Sequence, residues 1–256
     1  MFSLQGKRIL ITGASRGLGA VCAHAFAQQG ARLVLMARSK EALESVRGSC
    51  ASAENHLVVA ADLTDVQAVE RAVQKTWAFL GQIDVVLHTA GGGLGLREPL
   101  ISSGDMQKLF LLNVAAAAEI NRLVAPAMIE RGKGNLVHVG SIASTEAVAS
   151  VGYNTVKAGL AAYVRSLGNH LAAQGVVVTG ILPGGFNAPG NSWQRLKVDK
   201  PEVVDRFIAE RLPRGRLADA EELVPLIVFL CSEAAGMMGG YLVPIDAGEG
   251  KTYAVA

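Results

Sequence analysis

Cysteine is scarce in this chain of 256 residues. Cys22, Cys50 and Cys231 are the only three. An odd number at such separations builds neither a disulfide framework nor a metal-ligand spacing, and it points to a reducing, cytoplasmic setting with no bound metal. Charge of one sign is lacking too: 24 Lys and Arg against 22 Asp and Glu leave +2. That is too little to suggest a nucleic-acid surface. No apolar run makes a good membrane span. The most apolar long window, "LLNVAAAAEINRLVAPAMI" from Leu111, contains Glu119, Asn121 and Arg122 and reads as a buried helix. The start, "MFSLQGKRILITG", has no long apolar stretch ahead of a cleavage site, so no signal peptide is expected. Linkers rich in Pro, Gly or Ser, internal repeats and low-complexity tracts are absent as well, so a single domain over 1–256 is expected.

What is present is core-forming material. Half the residues are apolar and 18% are charged, which fits a large folded interior. Short apolar, β-rich runs at 8–12, 32–36, 56–60, 84–88, 135–140, 176–181 and 241–245 read as strands. Most lack strict alternation, as strands covered on both faces do. Helical patterns lie between them near 17–29, 40–51, 65–80, 105–131, 153–174 and 219–231. This alternation predicts an α/β fold around a parallel sheet with right-handed crossovers. The longest irregular stretch runs from about Pro183 to Pro201, with a short helix expected after it. A loop of that length in a compact domain suggests a binding lid, here about 184–212.

"ITGASRGLGA" follows the first strand and opens the first helix. Gly13, Gly17 and Gly19 let the backbone turn tightly and approach a pyrophosphate, whose charge would rest on the helix N-terminus. A strand-to-helix position is where that mechanism needs glycine, so nucleotide binding is expected. A carboxylate ending the second strand would select NAD. Here the strand ends in "LMARSK", giving Arg38 and Ser39 instead, and the glycine loop itself carries Arg16. Guanidinium groups offer a planar fork of donors to a 2′-phosphate, so NADP(H) is expected. Asp62 is placed either to accept from the adenine amino group or to cap the next helix, a role for which Asp65 competes.

"SVGYNTVKAGL" sets Tyr153 one helical turn before Lys157, on the same helix face. Taken alone this is a solvated face. In fixed order, however, the chain also carries "TGASRGLG" (12–19), "HTAG" (88–91), Asn113 in "LLNVA", Ser141 in "VGSIAS", "YNTVK" (153–157), "LPGG" (182–185) and "GGYLVPIDAG". This ordered set resembles the short-chain dehydrogenase/reductase family over nearly the whole chain, with members similar to 3-oxoacyl-(acyl-carrier-protein) reductases. The resemblance implies a single-domain, doubly wound Rossmann fold with a seven-stranded parallel sheet. It places Asn113, Ser141, Tyr153 and Lys157 on the family's catalytic tetrad. It also implies cofactor contacts from Gly13, Ser15, Arg16, Gly17, Leu18, Gly19, Arg38, Ser39, Asp62, Leu63, Ala90, Gly91, Tyr153, Lys157, Pro183, Gly184 and Phe186.

On this reading Tyr153 exchanges a proton with the substrate oxygen while the nicotinamide exchanges a hydride with the carbon. A free phenol has a pKa of about 10, and lowering it by two units takes about 2.7 kcal/mol. An ammonium ~4 Å away at an effective dielectric of ~20 supplies about 4 kcal/mol. Lys157 is thus expected to bring the phenol toward neutral pH and to position the cofactor ribose. Ser141 is expected to polarise the carbonyl. From the family, Asn113 is expected to hold a helix kink and a water that returns protons to Lys157.

The chain departs from the family's pattern in places. His88-Thr89 stand where Asn-Asn is usual, and His88 is expected to be a satisfied strand-end histidine rather than a base. His138 reads as core or sheet-face. The Ser141–Tyr153 interval is one residue short, which makes Ser144 a rival to Ser141. Ala188 replaces a lid threonine, with Asn187 beside it as a substitute.

Substrate contacts are expected from Ser141, Tyr153, Gly93, Phe186 and Trp193, the last two alternatively packing as lid core. Arg195, Lys197 and Lys200 are either a solvated face or a greeting for an acidic carrier. The substrate is accordingly a 3-oxoacyl thioester on an acyl carrier or CoA, or a ketone on a ring, sugar or secondary metabolite. A non-catalytic NADP(H) sensor is the reading from outside enzymology. Small residues at Ala158, Gly159, Ala161 and Ala162 and the resemblance together imply a homotetramer or dimer, with no nucleic-acid or membrane partner.

Overall fold

The computed structural model describes residues 2–252. Its centre is a parallel sheet of seven strands. In chain order these are β1 (Arg8–Thr12), β2 (Arg32–Ala37), β3 (Leu57–Ala60), β4 (Val85–His88), β5 (Gly134–Val139) and β6 (Val176–Pro183), with the last strand near the C-terminus. A two-stranded parallel ladder of β7 (Phe186–Asn187) and β8 (Ala218–Asp219) lies between, so the final strand is β9 (Leu242–Ile245). The order across the sheet is β3-β2-β1-β4-β5-β6-β9. It reverses direction between β1 and β4, and a crevice opens there beyond the carboxyl ends of the strands, the place where doubly wound sheets bind ligands.

Both faces are covered, which is why the strands read as continuous apolar runs. One face carries α1 (Gly17–Gln28), α2 (Lys40–Ser49) and a later helix, packed around Phe26, Leu33 and Leu35. The other carries α3 (Val66–Leu80), α4 (Ser103–Phe110), α5 (Ala116–Glu130) and α6 (Val151–Leu171), packed around Leu10, Val86 and Leu136. Asp65 starts α3 by accepting from Ala68 N–H at 3.1 Å, and Gly81 ends it in a left-handed turn. Ser102 starts α4 in the same way.

Two sequence expectations needed revision. The stretch 105–131 is not one α-helix, because Leu111–Ala115 form a wide π turn between α4 and α5. Pro183–Pro201 is not irregular either. It contains β7 and α7 (Ser192–Asp199), whose N-terminus is capped by Asn191 accepting from Gln194 N–H. Next come α8 (Pro201–Arg211) and α9 (Ala220–Cys231), the latter on the α1 face. Ser103–Glu130 is long and apolar enough to cross a membrane by composition, but half of its most apolar window is buried against the sheet.

Candidate active site

The glycine loop joins β1 to α1 at the crevice. Gly13 and Gly17 both have left-handed φ, +68° and +61°. A Cβ on Gly13 would lie 2.7 Å from the Ala90 nitrogen, and one on Gly19 would lie 2.5 Å from the Thr89 hydroxyl. Any side chain at these two positions would therefore clash with the loop after β4 or with the glycine loop itself. Gly17, Leu18 and Gly19 occupy the first turn of α1, where amides have no intrahelical acceptor and the helix dipole is positive. That geometry fits a pyrophosphate. The Gly17 amide donates to the Pro189 carbonyl at 2.8 Å, so the segment after β6 rests on the loop. Arg16 is exposed and donates to the Gly190 carbonyl at 3.0 Å.

Arg38 is also exposed, at the end of β2. The Ser39 hydroxyl caps α2, accepting from Ala42 N–H at 3.2 Å. Asp62 holds the Thr64 amide and hydroxyl at 2.9 and 2.8 Å, leaving the helix cap to Asp65. Leu63 is buried beneath it.

Four polar side chains converge where β4 and β5 end. The Lys157 side chain is 3% exposed, and its ammonium donates to the Val139 carbonyl at 2.9 Å. It lies 5.6 Å from the centre of the Tyr153 ring. Asn113, in the π turn, donates to the Leu109 carbonyl (2.9 Å) and the Gly92 carbonyl (3.0 Å) and accepts from Gly92 N–H at 3.0 Å. The wide turn aims this side chain away from its own helix ladder and onto the loop after β4. A Cβ on Gly91 would stand 2.8 Å from the Asn113 Oδ1 and 3.4 Å from the Lys157 Nζ. A Cβ on Gly93 would touch the Tyr153 ring at 3.8 Å. Ser141 follows β5, accepts from Ala143 N–H at 3.1 Å, and stands near enough to the Tyr153 phenol to favour its ionised form. Ser144 turns its hydroxyl to the Ser141 carbonyl at 2.7 Å.

The electrostatics differ from the sequence expectation. Burial pushes the Tyr153 phenol up to about 12, opposed by the nearby Ser141 hydroxyl. Burial also brings the Lys157 ammonium down to about 8. The low dielectric that strengthens charge interactions here also penalises each charge, and desolvation dominates both groups.

His88 and His138 are buried, and both are held neutral. Burial lowers His88 to about 4 and His138 well below its ordinary value. His88 faces Asn121 at 2.9 Å, as a satisfied strand-end histidine would.

Beyond β6, Gly184 and Gly185 are half-buried and Pro183 is buried. Phe186 packs against the α1–α9 core. Trp193 stacks at 4.2 Å on Phe207 in a small cluster with Val204, Leu212 and Leu217, the lid-core alternative. A cleft of about 410 Å³ lies behind this segment, reaching from Gly184 to Asp246.

Two carboxylates escaped sequence reading. Glu249 is 4% exposed, accepts from Gly185 N–H at 2.6 Å and sits 3.9 Å from Arg211. Glu146 accepts from the amides of Lys251 and Thr252. Together they tie the C-terminal segment to the loops after β5 and β6. Nothing local in the sequence marks them, because each bonds to a distant backbone amide.

Comparison with known proteins places this geometry. A family model described as Enoyl-(Acyl carrier protein) reductase matches residues 13–249. The chain is 33% identical over 252 residues to a gluconate 5-dehydrogenase of Gluconobacter oxydans, covering 97% of this chain and 96% of that one. It is 27% identical to a 3-oxoacyl-[acyl-carrier-protein] reductase of Aquifex aeolicus, covering 96% and 98%. Among solved structures, the L-sorbose reductase of Gluconobacter frateurii, complexed with NADPH and L-sorbose, superposes with a TM-score of 0.90. Its identity is 29%, with 98% and 99% of the two chains covered.

Proposed function

The chain belongs to the short-chain dehydrogenase/reductase family of oxidoreductases acting on CH–OH groups, and on that footing we propose that it reduces a ketone to a secondary alcohol with NADPH, reversibly. The observation that carries this reading is the Tyr153 phenol beside Ser141, with the buried Lys157 ammonium 5.6 Å from its ring. NADPH, when bound, supplies the hydride for the carbonyl carbon.

The protein's own groups handle the oxygen. Ser141 donates a hydrogen bond to the carbonyl and stabilises charge as it develops there. Tyr153 gives its proton to the same oxygen, completing the alcohol. A phenol pushed up to about 12 is fully protonated at neutral pH, which suits the reducing direction. Lys157 stabilises the phenolate left behind, and its ammonium, close to Gly91, would hold the cofactor's ribose. Asn113 clamps both polar groups of Gly92, fixing the loop on which Tyr153 rests.

The cofactor reading rests on Arg16 and Arg38, with no carboxylate at the end of β2, and on the NADPH complex of the sorbose reductase. The segment at about 184–212 serves as the lid, and residues 1–256 act as one domain. A sugar-type ketone is the first choice of substrate, because a gluconate dehydrogenase and a sorbose reductase stand among the relatives. A 3-oxoacyl thioester is the second, favoured by the exposed Arg195, Lys197 and Lys200 on the lid. The protein acts in the cytoplasm as a homo-oligomer.

The test follows NADPH absorbance with 5-oxogluconate, L-sorbose and an acetoacetyl thioester. Turnover of a sugar ketone is expected; turnover of the thioester alone transfers the assignment to the second reading. Inertness toward all three, with tight NADPH binding, favours a cofactor sensor.

A further inference from the structure

Next to Lys157 lies a polar network that the proposed chemistry does not use. The register of β4 and β5 sets His88 opposite His138, and the two imidazoles stack with centres 4.6 Å apart and planes 18° apart. Asn121 of α5 bridges them. Its Oδ1 lies 2.9 Å from His88 Nε2, and its Nδ2 lies 3.1 Å from His138 Nε2 and 3.0 Å from the Tyr163 hydroxyl. His138 Nδ1 reaches the Thr179 carbonyl of β6 at 3.2 Å.

The bonding decides the tautomers. A carbonyl only accepts, so the His138 proton is on Nδ1, leaving Nε2 to accept from the Asn121 amide. Asn121 Oδ1 also accepts, so the His88 proton is on Nε2. With these assignments both rings are neutral and all four contacts are satisfied.

Val139 is the next residue after His138, and its carbonyl is the acceptor for Lys157. His138 pins the end of β5 to α5 on one side and to β6 on the other. The charged or titratable groups facing Lys157 are Tyr153 from α6 and His138 from β5, with His88 of β4 stacked behind His138. No Asp or Glu among the described residues pairs with its ammonium.

We propose that His88, Asn121 and His138 are positioning residues for Lys157: the bridged imidazole pair fixes the Val139 carbonyl that orients the ammonium, and it does so without placing a second positive charge beside it. A carboxylate partner would hold a lysine as well, but it would also hold a proton on any adjacent imidazole. Paired neutral rings leave Lys157 as the one cation in the pocket. The inference rests on the assignment of Lys157 to the reductase chemistry.

Two measurements test it. The first needs no turnover: nitrogen NMR of the histidine-labelled wild-type enzyme, with resonances assigned by His88→Gln and His138→Gln. It should show His88 protonated at Nε2 and His138 at Nδ1, both neutral through the ordinary histidine range near ~6.5. Titration in that range, or the opposite tautomer at either ring, overturns the proposal.

The second is Asn121→Asp, which keeps the shape of the bridge but requires a proton on His138 Nε2 as well. The imidazolium and the new carboxylate act on the ammonium with opposite signs, so the readout is displacement in either direction: the variant's alkaline limb of kcat should move by ~0.5 unit or more. Asn121→Leu should lower kcat by ~10- to 100-fold, up to the scale of a catalytic group misplaced by about 1 Å. A folded Asn121→Asp enzyme with the wild-type pH profile overturns the proposal. If that variant does not fold, the NMR result decides. Tyr153→Phe is assayed in parallel. Surviving turnover there sinks the reductase reading itself and leaves the tautomers unaffected, so the two failures are distinguishable.

Discussion

Lys157 donates its ammonium to the Val139 carbonyl at 2.9 Å, from a side chain 3% exposed. Burial brings this group to about 8 while Tyr153 stays near about 12. The pH dependence of reduction should therefore report Lys157 and not the phenol. The ketone-reduction kcat is expected to hold level through neutral pH and to fall with the slope of one proton as pH rises through about 8. A profile level to pH 10 contradicts this.

The same shift makes a stability prediction. Lys157 titrates lower in the folded protein than its ordinary 10.5. Between those values the unfolded chain holds more protons on this side chain, so native stability rises with pH across the interval. Lys157→Met lacks the effect. The wild type should gain on it by about 2 kcal/mol between about pH 7.5 and 9.5, measured by urea unfolding. A constant difference between the two proteins across that range would mean that Lys157 is not desolvated.

Arg38 is exposed at the end of β2, where a 2′-phosphate would lie, and no carboxylate takes its place. A charge-assisted bond is worth about 1.5–3 kcal/mol. Arg38→Asp should thus weaken NADPH by roughly 10- to 100-fold and leave NADH nearly unchanged, read by fluorescence titration. Equal losses for both cofactors would remove Arg38 from phosphate recognition.

Asn113 makes three hydrogen bonds from a site 2% exposed. Replacing it with alanine strands the Leu109 and Gly92 carbonyls, at a cost of about 1–3 kcal/mol per unsatisfied group. Asn113→Ala should lower the thermal midpoint by several degrees and reduce turnover more than NADPH binding. Unaltered kcat would show that the clamp on Gly92 does not serve the chemistry.

The sheet was legible because its strands are buried on both faces and stand out as Val-, Ile- and Leu-rich runs such as "RILIT" and "VVVTGI". The glycine cradle was legible for a related reason: only glycine fits Gly13 against Ala90. The π turn at Leu111–Ala115 left no periodic trace, since "LLNVAAAAEI" suits an α-helix equally well. It goes with the reach of Asn113 to Gly92, a tertiary contact. Helix α7 was hidden by the Pro and Gly around it, although Asn191 before Ser192 and Trp193 was a usable cap signal.

The histidine pair was out of reach altogether. Its partners are set by strand register and by Asn121 on a helix 33 residues away from His88, and no local pattern encodes either. The burial around Tyr153 was out of reach for a physical reason: a sequence reveals a neighbouring charge but not the depth of burial that opposes it.

The most direct test of the central claim is single-turnover reduction by Tyr153→Phe with NADPH already bound. The ring remains against Gly93 and only the hydroxyl is lost. The hydride-transfer rate should fall by ~10²–10⁴-fold with NADPH affinity kept within a few fold, the scale of a lost general acid. A Tyr153→Phe enzyme that reduces its ketone at the wild-type rate would contradict the account.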